Sequence, residues 1–312
     1  MLVKTYTAAV NGLEASRITV EVNMTRGVQF HLSGLADTAV RESYDRIRAA
    51  VSNIGFKPPT ADITINLSPA DIRKEGSGYD LPLAVGILAA HGKVSDTCLP
   101  EYMMIGELGL DGTLKPVSGA LPVAIRARAE KFKGLIVPRE NAREAAVVNQ
   151  LDVYGMDSLA DVVGFFNGSD EYEPTIVDTR KEFYEQQYSF DLDFADVRGQ
   201  ESVKRALEVA AAGGHNLIMI GAPGSGKSMM AKRLPSILPP LSLAESLETT
   251  QIHSVAGKLP AGTSLISQRP FRSPHHTMSQ VAMTGGGSRA LPGEVSMAHT
   301  VSSSVMSIGV HQ

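Results

Sequence analysis

One stretch constrains the fold more than any other, because it matches the pattern G-x-x-x-x-G-K-[ST] at every position. The stretch consists of Gly221, Ala222, Pro223, Gly224, Ser225, Gly226, Lys227 and Ser228. The apolar run 217–220 before it predicts a short buried strand, and residues 229–234 after it predict a helix. A strand, a loop of this kind and a helix are together typical of a phosphate-binding loop.

Each residue type in this loop has a chemical role in binding a phosphate. Glycine adopts positive φ at little cost, so backbone N–H groups can turn inward around a phosphate, and the helix N-terminus adds partial positive charge. We expect Lys227 to reach the β- and γ-phosphates and the Ser228 hydroxyl to bind Mg²⁺. ATP and Mg²⁺ are therefore the expected cofactors. The alternative, a glycine-rich turn that ends in Lys-Ser by chance, is disfavoured by the flanking strand and helix.

Length and charge narrow the class of protein. A chain of 312 residues suggests two domains, and a net charge of −4 argues against nucleic-acid binding by the chain as a whole. Residues 193–312, however, hold ten Lys/Arg against seven Asp/Glu. Cys98 is the sole cysteine, which excludes an intramolecular disulfide and suits a reducing compartment. With neither a signal peptide nor a membrane-length apolar run, we expect a cytoplasmic protein without membrane contact.

Residues 1–169 interleave strand and helix patterns, which predicts an α/β or α+β domain. Alternating residues at 18–23 and 28–32 predict two antiparallel strands joined near Arg26-Gly27. Helical spacing predicts one helix over 37–54, and the apolar run 80–90 predicts another. Further strands are expected around 63–65, 102–106 and 134–137, and further helices over 122–131, 140–149 and 157–166.

Several segments resemble a known family. Residues 34–43, 66–76 and 80–88 are similar to the N-terminal domain of magnesium-chelatase-like ATPases of the ComM/YifB type, and 106–116 and 137–141 resemble Lon-type segments. The resemblance implies that residues 1–169 form a Lon-protease-like (ribosomal S5-like) α+β domain, followed by a partial P-loop AAA+ α/β domain.

The same resemblance allows a test for proteolysis. Lon-type proteases use a serine activated by a lysine amine, and the family pattern puts these two residues at Gly78 and Leu121 of this chain. Both positions lack the required group, so we expect a domain without proteolytic activity. The alternative is a displaced dyad of Ser77 and Lys115, with Lys74 also nearby in sequence.

The stretch 170–192 is acidic and shows no clear periodicity. Because charged runs are usually solvated, we expect a linker between domains. The alternative is an acidic segment that docks on a basic surface of the following domain.

Residues 193–312 resemble the first part of an AAA+ module, with a helix over 201–212. The resemblance implies that Val197 and Gly199 lie over the adenine; the alternative is that they only shape a turn. Segments 268–277 and 285–299 resemble the magnesium-chelatase-like subgroup. They carry basic residues that either face a DNA strand in a ring assembly or belong to a structural loop. These residues are Arg269, Arg272, His275, His276 and Arg289.

In the family, an apolar strand ending in Asp-Glu follows at this point, but no acidic residue occurs after Glu294 here. We therefore expect an ATPase domain truncated after about residue 299, in which the last 13 residues resemble either another reading frame or a shortened gene model. Such a chain would bind ATP and hydrolyse it poorly. The alternative is a short, divergent ATPase that takes its acidic residue from elsewhere.

Intact members of the family resemble hexameric ring-forming motors that act on branched DNA during uptake and recombination. A homo-hexamer and DNA are accordingly the expected partners. Two alternatives stay open: an inactive scaffold that binds a partner or caps a ring, and a Ser/Lys peptidase.

Overall fold

The computed structural model describes residues 1–169, 172–275, 277–287, 290–298 and the backbone of 305–306. Contacts between Cα atoms divide the chain into two compact units. The first comprises Met1–Val177 with Gly257–Ser264, and the second comprises Asp178–Ala256 with Leu265–Gln312. The last 13 residues, for which another reading frame or a shortened gene model was predicted, lie outside the description except for the backbone at 305–306.

The first unit is built on a mixed seven-stranded sheet with the order β3-β4-β2-β1-β5-β8-β9. Its strands, with the separate hairpin β6–β7, are β1 Leu2–Asn11, β2 Glu14–Thr25, β3 Phe30–Ser33, β4 Asp62–Ser68, β5 Tyr102–Met104, β6 Glu107–Leu108, β7 Leu114–Lys115, β8 Gly134–Pro138 and β9 Asp152–Met156. The β1–β2 and β2–β4 pairs are antiparallel, and the other neighbours are parallel. The predicted mixture of strands and helices is confirmed as a mixed α/β unit.

Strand pairing differs from the prediction at the N-terminus. β2 and β3 do not form a hairpin, because β4 lies between them and pairs with β2 antiparallel and with β3 parallel. Alternation shows which side chains face the core but does not identify the neighbouring strand. The actual hairpin partner of β2 is β1, which the sequence analysis missed. Gly12, with φ of +57°, lies in the tight turn after Asn11.

The helices of the first unit cover both faces of the sheet. They are α1 Thr38–Arg41, α2 Ser43–Asn53, α3 Asp80–Ala90, α4 Ala120–Ala129, α5 Arg139–Ala145 and α6 Leu159–Phe166. Successive residues of a strand point to opposite faces, so Met104 packs into one core cluster with α3, and Met103 packs into another with α4. The single helix predicted over 37–54 is instead two helices separated at Glu42.

The second unit is mainly helical over its described residues. Its elements are α7 Thr179–Gln186, α8 Glu201–Gly213, α9 Lys227–Arg233, α10 Leu243–Val255, α11 Gln280–Thr284 and α12 Glu294–Met297, with strands β10 Phe271–Arg272, β11 Gly285–Gly286, β12 Leu291–Pro292 and β13 Val305–Met306. Its strands form two-stranded pairs, β10 with β13 and β11 with β12. Among the described residues, no helix in either unit is long and apolar enough to cross a membrane.

Part of the predicted acidic linker is packed structure. Helix α7 lies within it, Phe183 is buried, and Gln187 donates a hydrogen bond of 2.7 Å to the Leu241 carbonyl. Residues 179–187 therefore include a helix and two buried side chains, Phe183 and Gln187, while most of the other side chains are exposed.

Candidate functional site

The loop 221–228 has the backbone shape that its glycines predict. Gly224 and Gly226 have φ of +80° and +86°, which glycine adopts far more readily than other residues. Gly226 is the N-cap of α9, and its carbonyl accepts the Met230 N–H at 3.0 Å. The loop therefore delivers Lys227 and Ser228 to the first turn of a helix, where backbone N–H groups lack partners within the helix.

Lys227 bends back over the loop. Its Nζ donates to the Gly221 carbonyl at 2.7 Å, the Ala222 carbonyl at 2.8 Å and the Ser225 hydroxyl at 3.3 Å. The cation is half-buried against its own loop, beside the positive end of the helix. A phosphate in this cradle would meet a pre-positioned positive charge.

The side chains near Ser228 can be compared with the ligands that Mg²⁺ prefers. Ser228 is exposed on α9, and its hydroxyl is a suitable oxygen ligand. Within the described ranges, no group of three or more His, Cys, Asp or Glu side chains could hold a metal ion. Magnesium commonly binds to few protein ligands and completes its shell with phosphate oxygens and water, so Ser228 fits a metal that arrives with a nucleotide.

The strand predicted before the loop is not formed. Residues 217–220 pair with no strand that the structure describes, and Ile218 and Ile220 are 81% and 89% exposed. A strand in such a position needs neighbours that take up its N–H and C=O groups and cover its side chains. The prediction of a short buried strand over 217–220 is therefore wrong for this structure.

The two residues expected over the adenine have different surroundings. Val197 is buried and packs with Phe194, Leu207 and Met230, the last of which belongs to α9. Gly199 is exposed, has φ of +68°, and a Cβ placed there would meet no atom within 4 Å. This geometry favours a structural role for Val197 beneath the loop helix, whereas Gly199 leaves open space beside the turn.

Among the basic residues expected to face DNA, Arg269 and Arg272 bind to other residues of the chain. Arg269 is buried, and its Nε donates to the Pro239 carbonyl at 2.6 Å. Arg272 makes two hydrogen bonds of 2.6 Å to the Glu294 carboxylate, which raise the pKa of Arg272. His275 is exposed and contacts the Thr277 hydroxyl. His276 and Arg289 lie outside the described residues.

Both arginines therefore have internal partners that the sequence analysis did not identify. Glu245 lies 3.8 Å from Arg269, and its own position is fixed by the N-cap of α10, where Ser242 and Glu245 form a capping box. The S-x-x-E spacing was a readable signal for that helix. The Arg272–Glu294 pair, whose members lie 22 positions apart, has no local sequence signal.

The positions of the Lon-type dyad carry no catalytic pair. Leu121 is fully buried in α4, and a side chain at Gly78 would have its Cβ 3.8 Å from Val117. In the alternative dyad, the Ser77 hydroxyl donates its proton to the carboxylate of Glu107 rather than to an amine. Lys74 is buried, donates to the Pro69 carbonyl, and has its pKa lowered by burial.

Comparison with known proteins defines the class. The family model described as magnesium chelatase, subunit ChlI, matches residues 193–302, and a second, subunit ChlI of Mg-chelatase, matches residues 20–141. Two segments of the chain thus match magnesium-chelatase models, and the match over 193–302 includes the loop 221–228.

Longer relatives define the type within this class. The competence protein ComM of Haemophilus influenzae is 40% identical over 294 residues, and the YifB protein of Escherichia coli is 42% identical over 298. Each match covers 94% of this chain and 57% of the relative. Lon protease 2 of Bacillus subtilis is 30% identical over 118 residues, which is 38% of this chain and 20% of that protein. The chain belongs to the magnesium-chelatase-like family of the ComM/YifB type, and it spans a little over half the length of these two relatives.

Proposed function

We propose that this protein binds ATP through the loop 221–228. The observation that carries the proposal is the position of Lys227, whose amine donates to the Gly221 and Ala222 carbonyls of a loop that contains the left-handed glycines Gly224 and Gly226. Backbone N–H groups and the helix N-terminus favour a phosphate there, and the lysine adds a full positive charge. Binding would exchange the two carbonyl contacts of Lys227 for β- and γ-phosphate oxygens.

Magnesium would enter with the nucleotide and bind the Ser228 hydroxyl, where it would neutralise phosphate charge. We propose that hydrolysis is slow in this chain. Within the described ranges, no group of three or more His, Cys, Asp or Glu side chains lies close enough together to hold a metal ion. Loss of one preorganised catalytic group typically lowers the rate by about 10²–10³.

Titration of the purified protein with a fluorescent ATP analogue tests the binding proposal. Lys227→Ala should weaken binding by at least about tenfold, because it removes a charge-assisted contact to phosphate. Lys232→Ala is the matched control, since Lys232 is an exposed lysine on the same helix. Equal affinity of the Lys227→Ala variant and the unchanged protein would refute the proposal.

The wider role follows from the family alone. We propose that the chain is the N-terminal part of a cytoplasmic AAA+ motor, with a Lon-like unit that has no proteolytic activity, and that intact members assemble as homo-hexamers on DNA. The Haemophilus influenzae relative is named a competence protein, which supports a link to DNA uptake.

A scaffold is the second candidate, and the extensive core of the first unit favours it. ATP turnover in the presence of branched DNA separates the two roles. A motor would show DNA-stimulated phosphate release that Lys227→Ala abolishes, whereas a scaffold would show none.

A further inference from the structure

Residues 257–264 are set apart from their sequence neighbours. They group with the first unit, although the chain on both sides of them belongs to the second. The segment contains a β-turn, in which the Thr263 N–H donates to the Pro260 carbonyl at 3.1 Å. Gly262 occupies the third position of this turn with φ of +74°, as a type II turn requires.

Two residues of the first unit contact this segment. The Nε of Arg143 donates to the Gly262 carbonyl at 2.9 Å. Gly257 passes so close to Ser118 that a Cβ placed on it would lie 2.7 Å from the Ser118 hydroxyl. We call Ser118 and Arg143 the 118/143 surface.

The 118/143 surface is fixed from beneath by buried polar groups of α5. Asn141 accepts the Val117 N–H and donates to the Val117 carbonyl, both at 2.9 Å. Glu144 accepts the Leu121 N–H at 3.0 Å. Both side chains are buried, so α5 holds the backbone on either side of Ser118 while Arg143 reaches the turn from the same helix. Rigid supports of this kind favour recognition of one geometry.

We propose that the 118/143 surface is a docking site for a glycine-containing β-turn, and that its occupant is residues 257–264 of the same chain. Arg143 binds a main-chain carbonyl, so recognition depends on the backbone shape that Gly257 and Gly262 allow, both having positive φ. Lys258, Pro260 and Ala261 stay exposed, so the docked segment buries little surface and its release is reversible.

Hydrogen exchange of the full chain, followed by mass spectrometry, tests this site. Arg143→Gln should accelerate exchange of the amides at 258–264 by roughly three- to tenfold, which lies in the range expected for the net loss of one typical hydrogen bond. Arg128→Gln is the control, because Arg128 is an exposed arginine on the neighbouring helix α4. Unchanged exchange at 258–264 in Arg143→Gln overturns the proposal.

Two further readouts keep the result interpretable. The amides of α3 report whether Arg143→Gln still folds; if they exchange faster too, Arg143→Lys replaces it, because it keeps the charge but not the guanidinium geometry. Protection of 258–264 that rises with protein concentration, together with a dimer mass, would assign the contact to a second copy and overturn the intramolecular site. None of these outcomes depends on nucleotide binding at Lys227.

Discussion

The two units differ in how deeply their most apolar segments are buried. In the first unit, all eleven residues of α3 are buried beneath the sheet. In the second, the run that leads into the phosphate-binding loop stays largely exposed, with Ile220 at 89%. Both runs are equally recognisable in the sequence. What separates them is the presence of neighbouring strands, which the first unit supplies within itself.

This contrast separates local chemistry from supporting structure. The loop 221–228 takes its shape from its own glycines and from α9, so the cradle around Lys227 forms without a sheet beside it. Residues 217–220, which precede the loop and would hold it in a fixed position, are largely exposed. The proposed phosphate site therefore has its backbone shape but lacks the packed support that surrounds α3 in the described structure.

The largest effect is expected at a buried ion pair in the first unit. Arg46 makes two hydrogen bonds of 2.8 Å to Asp80, whose side chain is fully buried and whose pKa is raised by that burial. Arg46→Met would leave the carboxylate without its cation, which costs about 3–5 kcal/mol. Denaturant unfolding, with the amides of β2 as the local reporter, measures this. A decrease in the free energy of unfolding of less than about 1 kcal/mol would show that water reaches the Asp80 carboxylate in solution.

A matched pair of alanine substitutions tests the contrast itself. Leu88→Ala in α3 should lower the free energy of unfolding by about 2–5 kcal/mol, because it opens a cavity in a packed core. Ile218→Ala should change it by less than about 0.5 kcal/mol, since its side chain is 81% exposed. Exchange of the β2 and α8 amides reports the two effects separately. A cost above about 1 kcal/mol at Ile218 would mean that the segment is covered in solution, and the contrast between the units would fail.

The same contrast explains what the sequence could predict. The helix over 80–90 was predicted with the bounds that the structure shows, because a long apolar run needs no partner to be recognised. Pairing of β2 with β4, rather than with β3, depends on residues about 40 positions apart. The loop 221–228 was predicted from its own residues, whereas the internal roles of Arg269 and Arg272 depend on Glu245 and Glu294, which lie far along the chain.

Acidification should weaken the second unit more than the first. His253 is buried, its Nε2 contacts the Met297 carbonyl at 2.9 Å, and burial lowers its pKa below the ordinary 6.5. In the unfolded chain His253 therefore binds a proton near pH 6.5, whereas in the folded chain it binds the proton only at a lower pH. Stability should therefore fall as the pH drops below about 6.5, by at most about 1.4 kcal/mol per pH unit from this group.

Exchange of the α10 amides between pH 7.5 and 5.5, corrected for intrinsic rates, measures this effect. His253→Gln should flatten the dependence, because the substituted side chain does not titrate. Arg272 and Glu294, the charged groups that act on His253, remain in place in this variant. A pH dependence that persists in His253→Gln would assign the titration to another group.

The smallest effect concerns helix starts, where the two units should behave alike. Both α6 and α10 begin with a capping box, formed by Ser158 with Asp161 and by Ser242 with Glu245. Ser158→Ala and Ser242→Ala should each cost about 0.5–2 kcal/mol, because each leaves a backbone N–H of the first turn without its acceptor. Exchange in the first turns of both helices measures the loss. Because capping is local, the two costs should be similar. A much larger cost in α10 than in α6 would show that Ser242 also holds Glu245 near the buried Arg269. The second unit would then depend on this contact, whereas the first depends on its sheet.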